Sequence, residues 1–226
     1  MNIGELILLK NNQLIAFNKL PGIPVQKDLT EDKALIDLAE IYTKAKLFVT
    51  HRIDRPSSGI VLFAKNAKSL ANLNEQFKNR KIKKTYLAVV KNLPTETEGE
   101  LIHYLQKNAK KNLSYASDSE TKNTKNAKKA ILNYKHIGSI ENYHLLEIEL
   151  KTGRHHQIRA QLAAIKSPIK GDVKYGARRG NRDRSIHLHA WKMTFQHPVS
   201  KETIHLVATP PDDSVWNAFN IISNGS

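Results

Sequence analysis

The chain of 226 residues contains no cysteine, so neither a disulfide framework nor a thiolate metal site is possible. No stretch reaches the roughly 18 apolar residues that a membrane-spanning helix requires. The first residues, MNIGELILLKNN, lack the basic start and the apolar core of a signal peptide. These absences predict a cytoplasmic protein that does not associate with membranes.

Negative charge is also scarce. Against 36 Lys plus Arg there are 21 Asp plus Glu, which gives a formal net charge of +15 and a pI of about 9.8. The electrostatic field of so basic a protein attracts anions, so RNA, DNA or an acidic surface is the expected partner. Lysine enrichment from an AT-rich genome would be an alternative explanation. It accounts for the lysines but not for the arginines, which gather in the motifs.

The most informative motif is HRIDRPSSG, residues 51–59, which places Asp54 between Arg52 and Arg55. Nearby positive charge favours the ionised form of a carboxylate. The apolar run GIVLFAK follows directly and predicts a buried strand, so Asp54 should lie on a turn at the entrance of that strand. On its own, this cluster would be read as surface salt bridges.

Five further segments accompany this motif. In chain order they are NKLPGIPVQ (18–26), KKTYLAVV (83–90), KTGRHHQIRAQLA (151–163), PIKGDVKYG (168–176) and HLHAWKMTFQHP (187–198). Together with HRIDRPSSG, they resemble in order the six sequence elements of the RluA-like family of pseudouridine synthases. Two residues depart from the usual family pattern, namely Ser57 in place of Thr and His155 in place of Thr or Ser.

The resemblance implies an RNA-modifying isomerase that converts specific uridines in ribosomal or transfer RNA to pseudouridine. It implies that Asp54 is the catalytic aspartate, that Tyr86 stacks on the uracil and relays a proton, and that Arg154 pairs with the aspartate. Whether Asp54 attacks the sugar, adds to the base or abstracts a sugar proton stays open. A conventional glycosidase would instead require two facing carboxylates, and this motif supplies one.

Other residues are candidates for contact with RNA. A uridine in structured RNA must be swung out of its stack to react, and Arg52 is expected to fill the vacated space or hold a phosphate. Ile158 either packs near the base or belongs to the core of an amphipathic helix. The remaining candidates for binding RNA or the base are His51, Arg55 and His156.

No cofactor or metal is expected, because the reaction is an isomerisation. His187 and His189 lie two residues apart and could form a metal site with His51 or His156. No H-E-x-x-H pattern accompanies them.

The predicted fold class is α+β, with a mainly antiparallel mixed sheet flanked by helices; the resemblance implies the pseudouridine synthase fold, with an active-site cleft across the sheet. The expected strands are 6–9, 14–18, 59–65, 85–91, 130–137, 144–151, 185–195 and 203–208, and the expected helices are 32–44, 68–79 and about 155–165. Leu35, Leu38 and Tyr42 should lie on one face of the first helix. Residues 107–129 lack apolar periodicity and predict a basic, exposed, mobile loop or hairpin.

The organisation expected is one catalytic domain, 1–226, acting as a monomer without an accessory RNA-binding domain ahead of it. Two other functions stay open. A catalytically silent RNA-binding or ribosome-assembly module could keep the same fold, although intact Asp54, Tyr86 and Arg154 argue against it. A nucleic-acid glycosidase would release free uracil.

Overall fold

The computed structural model describes residues 2–27, 32–119 and 126–219. These residues contain eleven strands and four α-helices. The chain forms two compact units: the first comprises Met1–Lys84 with His189–Asp213, and the second Thr85–Leu188 with Ser214–Ser226.

The sheet of the first unit is built around a fully buried strand. Its strands are β1 (Ile7–Lys10), β2 (Leu14–Lys19), β3 (Phe48–Val49), β4 (Ser58–Ala64), β10 (Leu188–Gln196) and β11 (Thr203–Val207). All seven residues of β4 are buried, as the continuous apolar run predicts. The pairing of β4 with β10 is parallel, whereas the β1–β2, β2–β4, β3–β4 and β10–β11 pairings are antiparallel.

Two helices belong to the first unit, α1 (Leu35–Thr43) and α2 (Ala67–Lys78). Helix α2 begins where the side chain of Asn66 caps the backbone amide of Ser69, and its Leu73 packs into the core beneath the sheet. Helix α1 begins at Leu35 rather than at the expected Asp32. Tyr42 is 39% exposed, and its ring lies beneath the Lys10 ammonium.

The second unit contains an antiparallel sheet in the order β5 (Lys83–Val90), β9 (Tyr143–Leu150), β8 (Lys128–Ile140), β6 (Glu98–Asn108) and β7 (Leu113–Ser117). Its helices are α3 (Gln157–Ala164) and α4 (Ser214–Ala218). Helix α3 is buried along most of its length, and three of its buried side chains are polar: Gln157, Arg159 and Gln161. Those side chains therefore require internal hydrogen-bond partners.

Residues 107–129, for which an exposed loop or hairpin was predicted, contain a hairpin and the beginning of a further strand. Strands β6 and β7 form a hairpin that pairs Asn108 with Leu113, and β8 already begins at Lys128. Alternation is hard to recognise here because a buried position of β6 holds a histidine, His103. Residues 120–125 lie outside the described part of the chain. The hairpin turn still exposes Lys110 and Lys111.

The eight expected strands and three expected helices are all present, although their ends shift by up to three residues. The α+β class and the mainly antiparallel sheet are confirmed. Among the helices of the described residues, none is long and apolar enough to cross a membrane.

Candidate functional site

Asp54 lies on a tight turn of the first unit that is tied to the N-terminal motif. The backbone amide of Ser57 donates to the carbonyl of Asp54 at 3.0 Å, which closes the turn. The next residue, Arg55, is bound twice to Gly22: its carbonyl accepts from the Gly22 amide at 2.8 Å, and its Nε donates to the Gly22 carbonyl at 2.8 Å. Two motifs that are distant in the sequence thus fix one turn.

A buried lysine supports this turn from inside. Lys19 is 0% exposed, and its Nζ donates to the carbonyls of Leu20 at 2.9 Å, Arg55 at 3.2 Å and Ser57 at 2.6 Å. Three donated bonds require the ammonium form, since a neutral amine has two N–H groups. Burial lowers the pKa of Lys19 to about 7, the charge of Asp54 acts in the opposite direction, and Arg55 lowers the pKa further. Lys19 therefore supplies both hydrogen bonds and positive charge to the Asp54 turn.

The segment leading into the turn is held against β4. Thr50 Oγ1 donates to the carbonyl of Leu62 at 2.6 Å, and His51 Nε2 accepts from the Leu62 amide at 3.1 Å. The His51 ring also contacts Phe77, with centroids 5.5 Å apart. Burial, helped by the charge of Lys84, lowers the pKa of His51 to about 3. The neutral imidazole thus has a structural role. The sequence motif made His51 a candidate for binding RNA and did not predict this role.

A second buried histidine fixes the other side of the turn. The carbonyl of Ala208 accepts from His189 Nε2 at 2.9 Å, so Nδ1, 2.8 Å from Ser58 Oγ, accepts from that hydroxyl. Burial lowers the pKa of His189 to about 4, although the bond to Ala208 raises it. Next to Ser58, Gly59 has φ +110°, and a Cβ there would lie 2.3 Å from the carbonyl oxygen of Ala190. Only glycine permits this approach of β4 to β10.

These two histidines predict a loss of stability in acid. Their folded pKa values lie below 6.5, so in moderately acidic solution the unfolded chain binds protons that the folded chain does not. The free energy of unfolding should therefore fall as the pH falls, by about 1.4 kcal/mol per pH unit for each histidine. Urea unfolding between about pH 6 and pH 5, where the unfolded histidines are mostly protonated and the folded ones are not, measures this slope. In the His189→Gln protein, the slope of the free energy of unfolding against pH should be smaller by about 1.4 kcal/mol per pH unit. An unchanged slope would contradict the lowered pKa of His189.

The two arginines that flank Asp54 have different surroundings. Arg52 is exposed, and among the described residues its side chain has no hydrogen bond or ion pair. Arg55, besides its bonds to Gly22, forms an ion pair with Asp32. Arg52 is therefore available for an external anion, whereas Arg55 is engaged in holding the turn.

Tyr86 and Arg154 belong to the second unit. Tyr86 is 7% exposed and lies on β5 opposite Ile148 of β9. Arg154 is exposed and precedes α3; its Nε donates to the carbonyl of Lys129 at 3.1 Å. Ile158 on α3 is buried, which agrees with either of the roles expected for it.

Gln157, which the motif analysis did not single out, anchors Arg154. Its Oε1 accepts from the backbone amide of Arg154 at 2.9 Å and from Thr152 Oγ1 at 2.8 Å, while its Nε2 donates to the carbonyl of Ile131 at 3.1 Å. The junction before α3 is thereby fixed to β8. The sequence shows a glutamine in the predicted helix, but it shows neither the burial of the side chain nor its hydrogen-bond partners.

His156 caps α3 in a left-handed conformation, φ +51°. Its Nδ1 lies 2.9 Å from the hydroxyl of Tyr175, and its ring stacks on His155 with centroids 3.8 Å apart. The guanidinium of Arg159 lies over the Tyr175 ring and forms a buried, bidentate pair with Asp172 at 2.7 and 2.8 Å. His156 is thus part of an internal network that joins two of the six motifs.

The histidines considered for a metal site have protein partners. His187 Nδ1 lies 3.1 Å from Asn181 Nδ2, and its ring stacks on Trp216 of α4, while His189 binds Ser58 and Ala208. Among the residues that the structure describes, no group of three or more His, Asp or Glu could hold a metal ion.

A family model described as RNA pseudouridylate synthase matches residues 13–164. This match spans more than half of the chain and both units, and it includes Asp54, Tyr86 and Arg154. The chain belongs to the RNA pseudouridylate synthase family. It is accordingly an isomerase that acts on RNA, as the motifs predicted.

Curated relatives and solved structures agree with this membership. The tRNA pseudouridine synthase C of Haemophilus ducreyi is 31% identical over 89% of this chain and 89% of its own. The protein of the same name from Vibrio cholerae is 29% identical, covering 94% of this chain and 93% of its own. The structure of human RNA pseudouridylate synthase domain containing 4 matches with a TM-score of 0.78 at 24% identity, over 95% of this chain and 92% of that one. The pseudouridine synthase fold is therefore confirmed.

Proposed function

We propose that this pseudouridine synthase isomerises uridine in transfer RNA and that Asp54 is its catalytic group. The observation that carries the proposal is the Asp54 turn itself. The carboxylate follows an exposed, uncommitted arginine, and its turn is held by a buried ammonium that bonds three carbonyls. A turn fixed in this way suits a group that must be placed accurately against a substrate.

Transfer RNA is favoured as the substrate class by the relatives. Proteins named tRNA pseudouridine synthase C cover about nine-tenths of this chain in several bacteria, among them Haemophilus ducreyi and two Vibrio species. The match extends over a similar share of each relative, about nine-tenths of its length. The +15 charge suits a polyanionic substrate.

The reaction requires few groups. The bond from ribose C1′ to N1 of uracil breaks, the base turns, and a bond from C1′ to C5 forms. The proton on C5 is lost and N1 gains one, so product and substrate are isomers, and no oxidant, reductant or energy source is consumed. One ionised carboxylate acting on the sugar or the base is sufficient to begin this sequence.

Three further roles complete the proposal. Tyr86 stacks on the uracil and accepts or relays the C5 proton, Arg154 pairs with the catalytic carboxylate, and Arg52 holds a phosphate or fills the space left by the displaced uridine. In this proposal the chain acts as one domain and a monomer, in the cytoplasm and without a cofactor.

Tritium release tests the substrate class directly. Because the C5 proton is lost, RNA labelled with tritium at uracil C5 releases tritium for each pseudouridine formed. We expect release from unmodified transfer RNA at a higher kcat/KM than from ribosomal RNA of matched length and uridine content. A preference for the ribosomal RNA would contradict the proposed substrate. Binding of both RNAs without any release would favour the silent RNA-binding module.

A further inference from the structure

An arginine-rich segment of the second unit plays no part in the proposed chemistry. Residues 176–184, GARRGNRDR, are here called the arginine loop. Its four arginines, Arg178, Arg179, Arg182 and Arg184, are all exposed. Within the described residues their side chains form no hydrogen bond, ion pair or ring contact, so the fold does not use their charge.

The loop is nevertheless well fixed. Asn181 Nδ2 donates to the carbonyl of Ser185 at 3.0 Å, and its Oδ1 accepts from Lys170 Nζ at 2.8 Å. The amide of Arg184 donates to the Asn181 carbonyl at 3.0 Å, which closes a turn inside the loop. Asn181 also packs so closely on Gly171 that a Cβ there would lie 2.7 Å from its Nδ2. The arginines thus project from an anchored backbone.

The charge of the loop is strongly unbalanced. Its only carboxylate, Asp183, is turned to Ser185, whose amide and hydroxyl donate to Oδ1 at 3.0 and 2.7 Å. Elsewhere in the unit, a depression on the sheet is lined by Glu98, Glu100, Glu147 and Glu149, which would repel phosphate. The loop is therefore a more favourable place for a polyanion than that sheet surface.

We propose that the arginine loop binds the phosphate backbone of the RNA substrate. The six steps from Arg178 to Arg184 span at most about 20 Å of extended chain, a length over which RNA presents several phosphates. Guanidinium groups on a fixed backbone lose little freedom when they form paired hydrogen bonds to phosphate oxygens. The inference rests on the proposed function, because that function supplies RNA as the partner.

The test compares two variants that each remove four positive charges. One carries Arg178→Gln, Arg179→Gln, Arg182→Gln and Arg184→Gln. The matched control carries Lys33→Gln, Lys68→Gln, Lys78→Gln and Lys81→Gln, all at exposed positions of the first unit. Affinity for transfer RNA is measured at several salt concentrations, and tritium release is measured over a range of RNA concentrations that reaches saturation.

The arginine variant should bind transfer RNA more than about tenfold more weakly than the wild type at low salt. Its plot of log K against log salt concentration should have a shallower slope, by about 0.7 to 0.9 for each phosphate that the loop no longer neutralises. Its kcat and its urea midpoint should be unchanged, while KM rises. An unchanged slope, or an equal loss of affinity in the lysine control, would overturn the proposal. If the wild type binds RNA but releases no tritium, the proposed function fails while the slopes still decide the role of the loop.

A measurement on the wild-type protein avoids any effect of the substitutions on folding. Trypsin cleaves after exposed arginines, so bound transfer RNA should slow cleavage after Arg178 and Arg179 at low salt and not at high salt. Equal cleavage with and without RNA at low salt would overturn the proposal.

Discussion

Asp54→Asn is expected to abolish isomerisation and leave RNA binding nearly unchanged. Asparagine has almost the same shape as aspartate but cannot act as an ionised nucleophile or base. The backbone bonds that form the turn, from Ser57 to Asp54 and from Gly22 to Arg55, do not depend on the carboxylate. Turnover should fall by at least about 10⁴-fold, as measured by tritium release, while the affinity for transfer RNA changes less than about threefold because it rests on phosphate contacts elsewhere.

The control is Asp118→Asn, the same chemical change on a side chain that is 98% exposed. It should retain wild-type turnover. An Asp54→Asn protein with the wild-type urea midpoint and near wild-type turnover would show that Asp54 is not the catalytic group.

Lys19→Met is expected to lower both stability and turnover. Methionine fills nearly the same volume, but the carbonyls of Leu20 and Ser57 lose the donor that Lys19 supplies. The carbonyl of Arg55 loses one of its two donors and keeps the Gly22 amide. Each buried acceptor without a partner costs about 1–3 kcal/mol. Part of this cost is offset because the variant no longer buries a charged group. We therefore expect the free energy of unfolding to fall by about 2–4 kcal/mol. The Asp54 turn would also lose its internal support, and a displacement of about 1 Å reduces turnover by about 10²-fold.

The matched control is Lys65→Met. Lys65 Nζ donates to the single carbonyl of Asn11 at 2.8 Å, so the free energy of unfolding should fall by about 1 kcal/mol without an effect on turnover measured under stabilising conditions. Equal effects of the two substitutions on turnover would contradict a specific role for Lys19.

The sequence predicted those parts of the fold and site that depend on local pattern. The apolar run after Ser58 identified β4, and the spacing of Leu70, Leu73 and Phe77 identified α2. The six motifs between residues 18 and 198 together indicated the family before any geometry was known. For β4 and α2, the information lies within about ten consecutive residues.

What the sequence could not predict depends on tertiary contacts. Lys19 is one of 36 Lys and Arg residues, and nothing in the adjacent sequence indicates that its side chain is buried and donates to the carbonyls of residues 20, 55 and 57. His51 was placed among the candidate RNA-binding residues, and the sequence did not indicate that its ring accepts a hydrogen bond from the Leu62 amide of β4. Strand β6 was missed because a buried position of the strand holds the polar residue His103, which obscures the alternation of apolar and polar residues.

The most direct test of the central claim is nucleoside analysis of unmodified transfer RNA after incubation with the purified protein. The account predicts that pseudouridine forms in an amount equal to the uridine consumed, that no free uracil is released, and that Asp54→Asn forms none. Free uracil with abasic sites in the RNA would identify a glycosidase instead. Pseudouridine formed equally by the Asp54→Asn protein would contradict the role assigned to that residue.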